Sequence, residues 1–199
     1  MYTLIIATTN SHKVKEIKSL LDISGLELKS LADFEGYPEV VEDGHTFEEN
    51  ALKKALAYFN FFEQPVIADD SGLEVDVLNN EPGIFSARYA GEKATDEDNN
   101  RYLLKKMKGV PRNRRTARFV CSVCFMDGKE QRIFTGVREG IILDNLKGSK
   151  GFGYDPLFFV PEYDKTYAQL TAEEKNRISH RGLAFTRLKE YLTERLKTD

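Results

Sequence analysis

The sequence predicts an α/β protein, a mixed twisted sheet with flanking helices. Apolar runs of strand length alternate with amphipathic helical segments at both ends of the chain. The middle is rich in hairpin signals, the strongest being Asp127-Gly128 between two β-runs. At 199 residues the chain can bury a substantial core as one domain, 1–199, or as one domain of two closely joined lobes.

The first strand spans Thr3 to Thr8 and leads through Asn10-Ser11 into a helix with Val14, Ile17, Leu20 and Leu21 on one face. Residues 26–44 read as irregular with short strands. Thr46 and Glu49 have the form of a capping box that opens a helix. Its apolar stripe is Phe47, Ala51, Leu52, Ala55, Leu56, Phe59 and Phe62, and Pro65 lies just beyond its end. Val66-Ile67-Ala68 is a short buried strand ending at Asp69-Asp70-Ser71-Gly72, and residues 72–94 read as a long ordered loop with a hairpin. A helix begins near Thr95 and stops at Gly109 and Pro111. β-Runs at 115–126 and 129–138 follow. A glycine-rich loop from Gly148 to Asp155 precedes the strand Leu157–Val160. Helical pieces near 171–178 and 180–197 end the chain, the second with Ala184, Phe185, Leu188, Tyr191, Leu192 and Leu196 inward.

Composition narrows the function classes. A net charge of −3 argues against duplex nucleic-acid binding, while leaving room for a local basic cluster that holds a nucleotide-sized anion. No signal peptide and no membrane span is legible, so a cytoplasmic protein is expected. Cys121 and Cys124 form a C-x-x-C, but they lie on a strand. Residues three apart there point to opposite faces, so two buried thiols are expected rather than a redox pair or half a zinc site.

Four segments carry chemistry. Ala7-Thr8-Thr9-Asn10-Ser11-His12-Lys13 turns from a strand end into a helix N-terminus, whose N–H groups and dipole suit phosphate. Asp69-Asp70-Ser71-Gly72 follows a buried strand, where ligand sites in open α/β sheets concentrate. Adjacent carboxylates there are costly unless a cation or hydrogen-bond donors offset their repulsion, and a hard cation such as Mg²⁺ needs only one or two carboxylates besides substrate phosphates. Glu42 is the candidate second ligand. Gly151-Phe152-Gly153-Tyr154-Asp155-Pro156 lets backbone approach a ligand, with Phe152 as a stacking face and Asp155 as an acceptor for a base edge. Lys175 and Ser179-His180-Arg181 sit where two helical pieces join, with His180 and Arg181 able to donate to a purine carbonyl. P-loop, Rossmann, zinc-hydrolase and serine-hydrolase motifs are absent from the sequence.

Together and in this order, the segments resemble the inosine-triphosphate pyrophosphatase family, also called the Ham1-like or noncanonical purine NTP pyrophosphatases. Glu42 to Ala51, Ala68 to Leu73, Pro82 to Tyr89 and Ile178 to Gly182 join the first and third segments in carrying the likeness across nearly the whole chain. The resemblance implies two lobes with the active site in the cleft between them, and a homodimer. It implies Mg²⁺-dependent cleavage of ITP, dITP and XTP between the α- and β-phosphates, giving the monophosphate and pyrophosphate and cleansing the nucleotide pool. Carried over residue by residue, it gives Thr8, Thr9, Asn10, Ser11, His12 and Lys13 to the phosphates, with Ser71 near them. Asp70 becomes the general base, and Glu42 and Asp70 the metal ligands. Phe152 becomes the stacking ring of the Gly153-Tyr154 loop, and Asp155, Lys175, His180 and Arg181 the groups that shape base recognition. Donors facing the 6-position would reject adenine, at about 1–3 kcal/mol for a donor facing a donor. Discrimination against guanine must rest on its 2-amino group. A pyrophosphatase for modified pyrimidines and a nucleotide sensor without turnover are the competing readings.

Overall fold

The computed structural model describes residues 1–197. Its sheet has seven strands in the order β2-β1-β3-β4-β5-β6-β7. These are β1 (Tyr2–Ile6), β2 (Leu26–Ser30), β3 (Val66–Val75), β4 (Thr116–Met126), β5 (Gln131–Ile142), β6 (Phe158–Val160) and β7 (Lys165–Thr166). Strand β1 is parallel to β2 and β3, whereas β6 is antiparallel to β5 and β7, so the sheet is mixed as expected. The α-helices are α1 (Ser11–Leu20), α2 (Phe47–Phe62), α3 (Asp96–Lys106), α4 (Ala172–Ile178) and α5 (His180–Arg195). Among the described residues no helix is long and apolar enough to cross a membrane.

The chain divides into two compact units. The first comprises Met1–Asp70, Cys121–Gly136 and the chain from Arg181 onward; the second comprises Ser71–Val120 and Val137–His180. Strands β3, β4 and β5 each begin in one unit and end in the other.

In the first unit β1, β3 and β4 are apolar on both faces, the pattern of a sheet covered on both sides. Leu4, Ile6, Ile67, Cys121, Val123 and Phe125 pack with Ile17 and Leu21 at α1 and with Ala184, Phe185, Leu188 and Leu192 of α5. Their alternating neighbours Ile5, Ala7, Val66, Ala68, Cys124 and Met126 pack with Ala51, Ala55 and Tyr58 of α2. The two cysteines therefore lie in different clusters, both buried and both free, as strand alternation requires.

Two details of α2 differ from expectation. Thr46 caps it, its Oγ1 accepting from Glu49 N at 3.1 Å, but the Glu49 carboxylate reaches past the cap to accept from His45 N at 2.6 Å. Leu56 is 48% exposed, because the buried face is centred on Phe47, Asn50, Ala51, Lys54, Ala55 and Tyr58. The helical step of 3.6 residues puts 47, 51, 54, 55 and 58 together and carries 56 off that face.

The second unit has its own core, with Leu73, Val75, Leu103, Met107, Phe119, Ile142, Leu157, Phe158 and Tyr167 among its buried residues. Thr95 and Asp98 form a reciprocal capping box at the start of α3. Residues 72–94 are less open than the sequence suggested. β3 continues to Val75, and short 3₁₀ turns occupy Asp76–Leu78 and Gly83–Arg88, with a bridge between Glu74 and Pro82. Asn80 has φ +66°, a left-handed conformation that asparagine tolerates and glycine adopts freely.

Candidate active site

Strand β3 organises the acidic residues. Ser71-Gly72 reads as a turn in the sequence, which placed Asp69 and Asp70 at a strand terminus. The strand in fact runs on to Val75, because Leu73 and Val75 are fully buried in the core of the second unit. Inside a continuous strand, consecutive side chains point to opposite faces. Asp69 follows the phase of Ile67, toward α1 and α5, and Asp70 that of Ala68, toward α2. The two carboxylates therefore do not share a face, and each has its own set of partners.

Asp69 is a hub of ion pairs. Its Oδ2 lies 3.0 Å from Lys13 Nζ on α1 and accepts from Arg181 Nη2 on α5 at 3.1 Å. Arg181 also donates to Glu16 Oε2 at 2.8 Å and is only 1% exposed. Burial pushes the Asp69 carboxyl up, and the charges of Lys13, Arg181 and Lys54 more than offset it, holding it far below the usual carboxylate range. Arg181 thus sits with the acidic set of the first unit. The sequence-based carry-over had grouped it with the residues that recognise the base.

Asp70 has a different environment. Asn50 Nδ2 on α2 donates to its Oδ2 at 2.9 Å. Lys54, one turn further along α2, donates to Glu42 Oε2 at 2.7 Å and to the Asp69 carbonyl at 2.8 Å. Burial raises the Asp70 carboxyl above its ordinary value and outweighs the opposing ammonium groups of Lys54 and Lys13, with Glu42 adding to the rise. Burial pulls Lys54 down, but Asp70, Glu42 and Asp69 more than compensate, so its ammonium is held firmly protonated. Asn50 and Lys54 were not singled out from the sequence. A signal was available: they lie in phase with Phe47 and Ala51 on a face that must be buried, where an amide and an ammonium need specific partners.

At the start of α1, Asn10 is the N-cap. Its Oδ1 accepts from His12 N at 3.0 Å and Lys13 N at 3.2 Å, and Thr8 Oγ1 accepts from Asn10 N at 3.2 Å. The expected unpaired N–H groups are therefore capped at His12 and Lys13 by the helix's own asparagine. Thr9, Ser11 and His12 are exposed, and the first turn carries no acidic residue. Anion-binding capacity at this end rests on side-chain donors and the Lys13 ammonium.

The second unit brings together most of the remaining candidates. Asp155 Oδ2 accepts from Phe152 N at 3.0 Å and from Lys175 Nζ on α4 at 2.6 Å. The same ammonium lies 4.7 Å from the centroid of the Phe152 ring. Gly151 has φ +76°, and a Cβ there would lie 1.9 Å from Asp155 Oδ2, so only glycine fits. Tyr154 Oη donates to the Ser86 carbonyl at 2.8 Å. His180 is buried and stacks on Phe119 at 4.5 Å with the planes 9° apart. Ser71 is half-buried in β3 as the first residue of this unit.

Among the described residues no group of three or more His, Cys, Asp or Glu side chains is gathered as a ready metal cage. Mg²⁺ does not need one, since it keeps waters and is held by one or two carboxylates plus substrate phosphates. Glu42 and Asp70, both close to Lys54, form such a hard-oxygen pair. Asp69 Oδ1, also buried without a hydrogen-bond partner, belongs to the opposite face of β3 and is not counted in that pair. The donor set fits the ion.

The family model described as the Ham1 family matches residues 4–191. The dITP/XTP pyrophosphatase of Desulforamulus reducens is 51% identical over 95% of this chain and 94% of its own length, and that of Geobacter sulfurreducens is 50% identical over 96% and 97%. Among solved structures, the Staphylococcus aureus Ham1 protein superposes with a TM-score of 0.88 at 42% identity, covering 97% of this chain and 99% of its own. A HAM1 protein from Coxiella burnetii gives 0.90 at 39%, covering 98% and 100%. With the matched model and these relatives covering nearly its whole length, the chain belongs to the Ham1 family.

Proposed function

We propose that the protein is a nucleoside-triphosphate pyrophosphatase that hydrolyses dITP, ITP and XTP to the monophosphate and pyrophosphate. The observation that carries this reading is Asp70, a carboxylate that burial raises above its ordinary value and that accepts from Asn50 beside the Lys54–Glu42 pair. Its place beside an amide donor and the Lys54–Glu42 pair suits a carboxylate that orients and deprotonates a water molecule. The names of the relatives from Desulforamulus reducens and Geobacter sulfurreducens support the choice of substrate.

In this reading Asp70 takes the proton from a water molecule. The water oxygen bonds to phosphorus, the anhydride bond between the α- and β-phosphates breaks, and pyrophosphate and the monophosphate leave. Lys13 and the side chains of Thr8, Thr9, Asn10, Ser11 and His12 hold the phosphates, with Ser71 close to them. Glu42 and Asp70 would hold Mg²⁺, and the ion would supply neutralisation of triphosphate charge and polarisation of phosphorus. Phe152 stacks on the base, and Lys175 and His180 face its 6-oxo edge, with Asp155 fixing Lys175. The enzyme acts in the cytoplasm on free nucleotides as a homodimer, a state that sedimentation of the purified protein tests directly.

The deciding experiment incubates the protein with ITP, dITP, XTP, ATP, GTP and dUTP, with and without Mg²⁺, and separates pyrophosphate from orthophosphate. Pyrophosphate from the inosine and xanthosine substrates alone, and only with metal, is expected. Orthophosphate as product, or a preference for dUTP, overturns the assignment.

A further inference from the structure

Helix α3 has no place in the chemistry described so far, yet it buries two adjacent asparagines. Asn99 is 3% exposed and Asn100 is 4% exposed. Burying an amide is unfavourable unless its hydrogen bonds are made, so both need a reason. Asn99 has one in the packing of its own surroundings, since it accepts from Ala90 N at 2.8 Å and donates to the Ala87 carbonyl at 3.0 Å.

Asn100 is different. Its Nδ2 donates to the Asp96 carbonyl and to the Gly153 carbonyl, each at 2.8 Å, while its buried Oδ1 has no partner. Two carbonyl partners fix which end of the amide is nitrogen. Asp96, one turn earlier, completes the grip by accepting from Gly153 N at 2.6 Å. One residue, Gly153, is therefore held at its N–H by a carboxylate and at its carbonyl by an amide, both from the first turns of α3. Gly153 has φ +59° and follows Phe152 directly in the chain.

The rest of the loop is pinned from the other side. Asp155 holds Phe152 N, and Lys175 holds Asp155 while lying over the Phe152 ring. A leucine at position 100 would carry no acceptor of its own to leave unpaired, but it would strip the Gly153 carbonyl of its donor. Of the two contacts that the amide makes and leucine cannot, the one with the Asp96 carbonyl stays within α3 and the one with Gly153 reaches the loop.

We propose that Asp96 and Asn100 are positioning residues that set the Phe152 ring and the Asp155–Lys175 pair for the base, so that α3 governs selectivity for 6-oxo purines. This rests on the assignment of Phe152 and Lys175 to base binding made above. Neither α3 side chain touches substrate in this scheme; both act through the backbone of Gly153.

The test uses the full-length protein as wild type, Asn100→Ala, Asp96→Ala and Asp96→Asn. Steady-state kinetics on ITP and ATP with Mg²⁺ are paired with calorimetric binding of ITP and ATP without divalent cation, and with thermal unfolding of each variant. Misplacing a stacking ring by a fraction of an ångström costs binding more than chemistry, so the two alanine variants are expected to raise KM for ITP by about 10-fold, with kcat within about threefold. Their Kd for ITP rises in parallel, and the ITP/ATP preference narrows. Asp96→Asn keeps a carbonyl oxygen for Gly153 N and restores wild-type values. Unchanged KM and Kd in Asn100→Ala overturn the proposal. So does a fall in kcat and unfolding temperature with selectivity intact, which is the mark of a purely structural role. The wild-type measurements separate the two inferences: tight, selective ITP binding without pyrophosphate release refutes the proposed activity, while the variants still decide the role of α3.

Discussion

Replacing Asp70 by asparagine keeps the side-chain volume and removes a charge from a buried position. Turnover is expected to fall by on the order of 10²-fold or more, because no base remains to take the proton from water. Stability should move the other way. Burial disfavours ionised Asp70 in the folded protein, so at neutral pH its charge opposes folding and the neutral amide relieves that opposition. Urea unfolding without divalent cation should therefore give Asp70→Asn a midpoint no lower than wild type; a clear drop would show that the Lys54 contact outweighs the desolvation. Asp69→Asn is the contrasting case. It removes the Asp69 charge from the buried Arg181 and should cost about 3–5 kcal/mol in the same experiment. Cys121 and Cys124 give a third residue-scale expectation. Burial pushes both thiols up, Cys121 to about 12 and Cys124 to about 11, so neither forms thiolate near neutral pH. A thiol reagent should label them only at the rate of unfolding, and rapid labelling of the native protein would contradict their burial.

Among the elements, those with a strong period were legible in the sequence. The helices α1, α3, α4 and α5 stand where capping residues and apolar spacing placed them, and the Asp127-Gly128 turn is present, with Asp127 Oδ1 accepting from Lys129 N and Glu130 N. β3 was cut short because Ser71-Gly72 carries a local turn signal that the burial of Leu73 and Val75 overrides. The candidate site was legible in the same uneven way. Motif residues such as Asp70, Phe152 and Lys175 stand out by type, whereas Asn50 and Lys54 look like ordinary helix surface until the register of α2 is known. Asn100 stayed hidden for the same reason, since its meaning depends on Gly153, far away in sequence. The glycine-rich loop offers a direct test at this scale. Gly151→Ala would drive a methyl into Asp155 Oδ2 at a left-handed backbone position, so the Asp155 contacts with Phe152 N and Lys175 must break. Weakened ITP binding by about 10-fold or more is expected, with the pyrophosphate product unchanged; wild-type affinity would detach this loop from base binding.

At the scale of the whole molecule, the response to acid follows from what holds its carboxylates low: buried ion pairs at Asp69 and hydrogen bonds at the more exposed sites. Asp33 is held below its ordinary value first by the Ser30 backbone N–H, Asp98 by the Thr95 hydroxyl and Glu174 by the Thr171 backbone N–H, each completing a capping box. Glu81 and Glu130 are lowered by the hydroxyls of Tyr89 and Tyr191. A carboxylate whose folded value is depressed stabilises the fold fully above its unfolded value, about 3.9 for Asp and 4.3 for Glu, and loses that contribution as the pH falls through the folded value. These sites share one sign and are spread over both units, so they add to one another rather than cancel. The urea midpoint should hold nearly level down to about pH 5 and then fall progressively toward pH 3. Because hydrogen bonds are the leading cause at each of these groups, added salt should shift that acid limb only slightly; screening acts on separated charges far more than on a donor in contact. An acid limb abolished by salt would mean that ion pairs, not the capping hydrogen bonds, hold these carboxylates down. A midpoint that rose on acidification would reverse the sign and leave the buried Asp70 as the dominant titrating group.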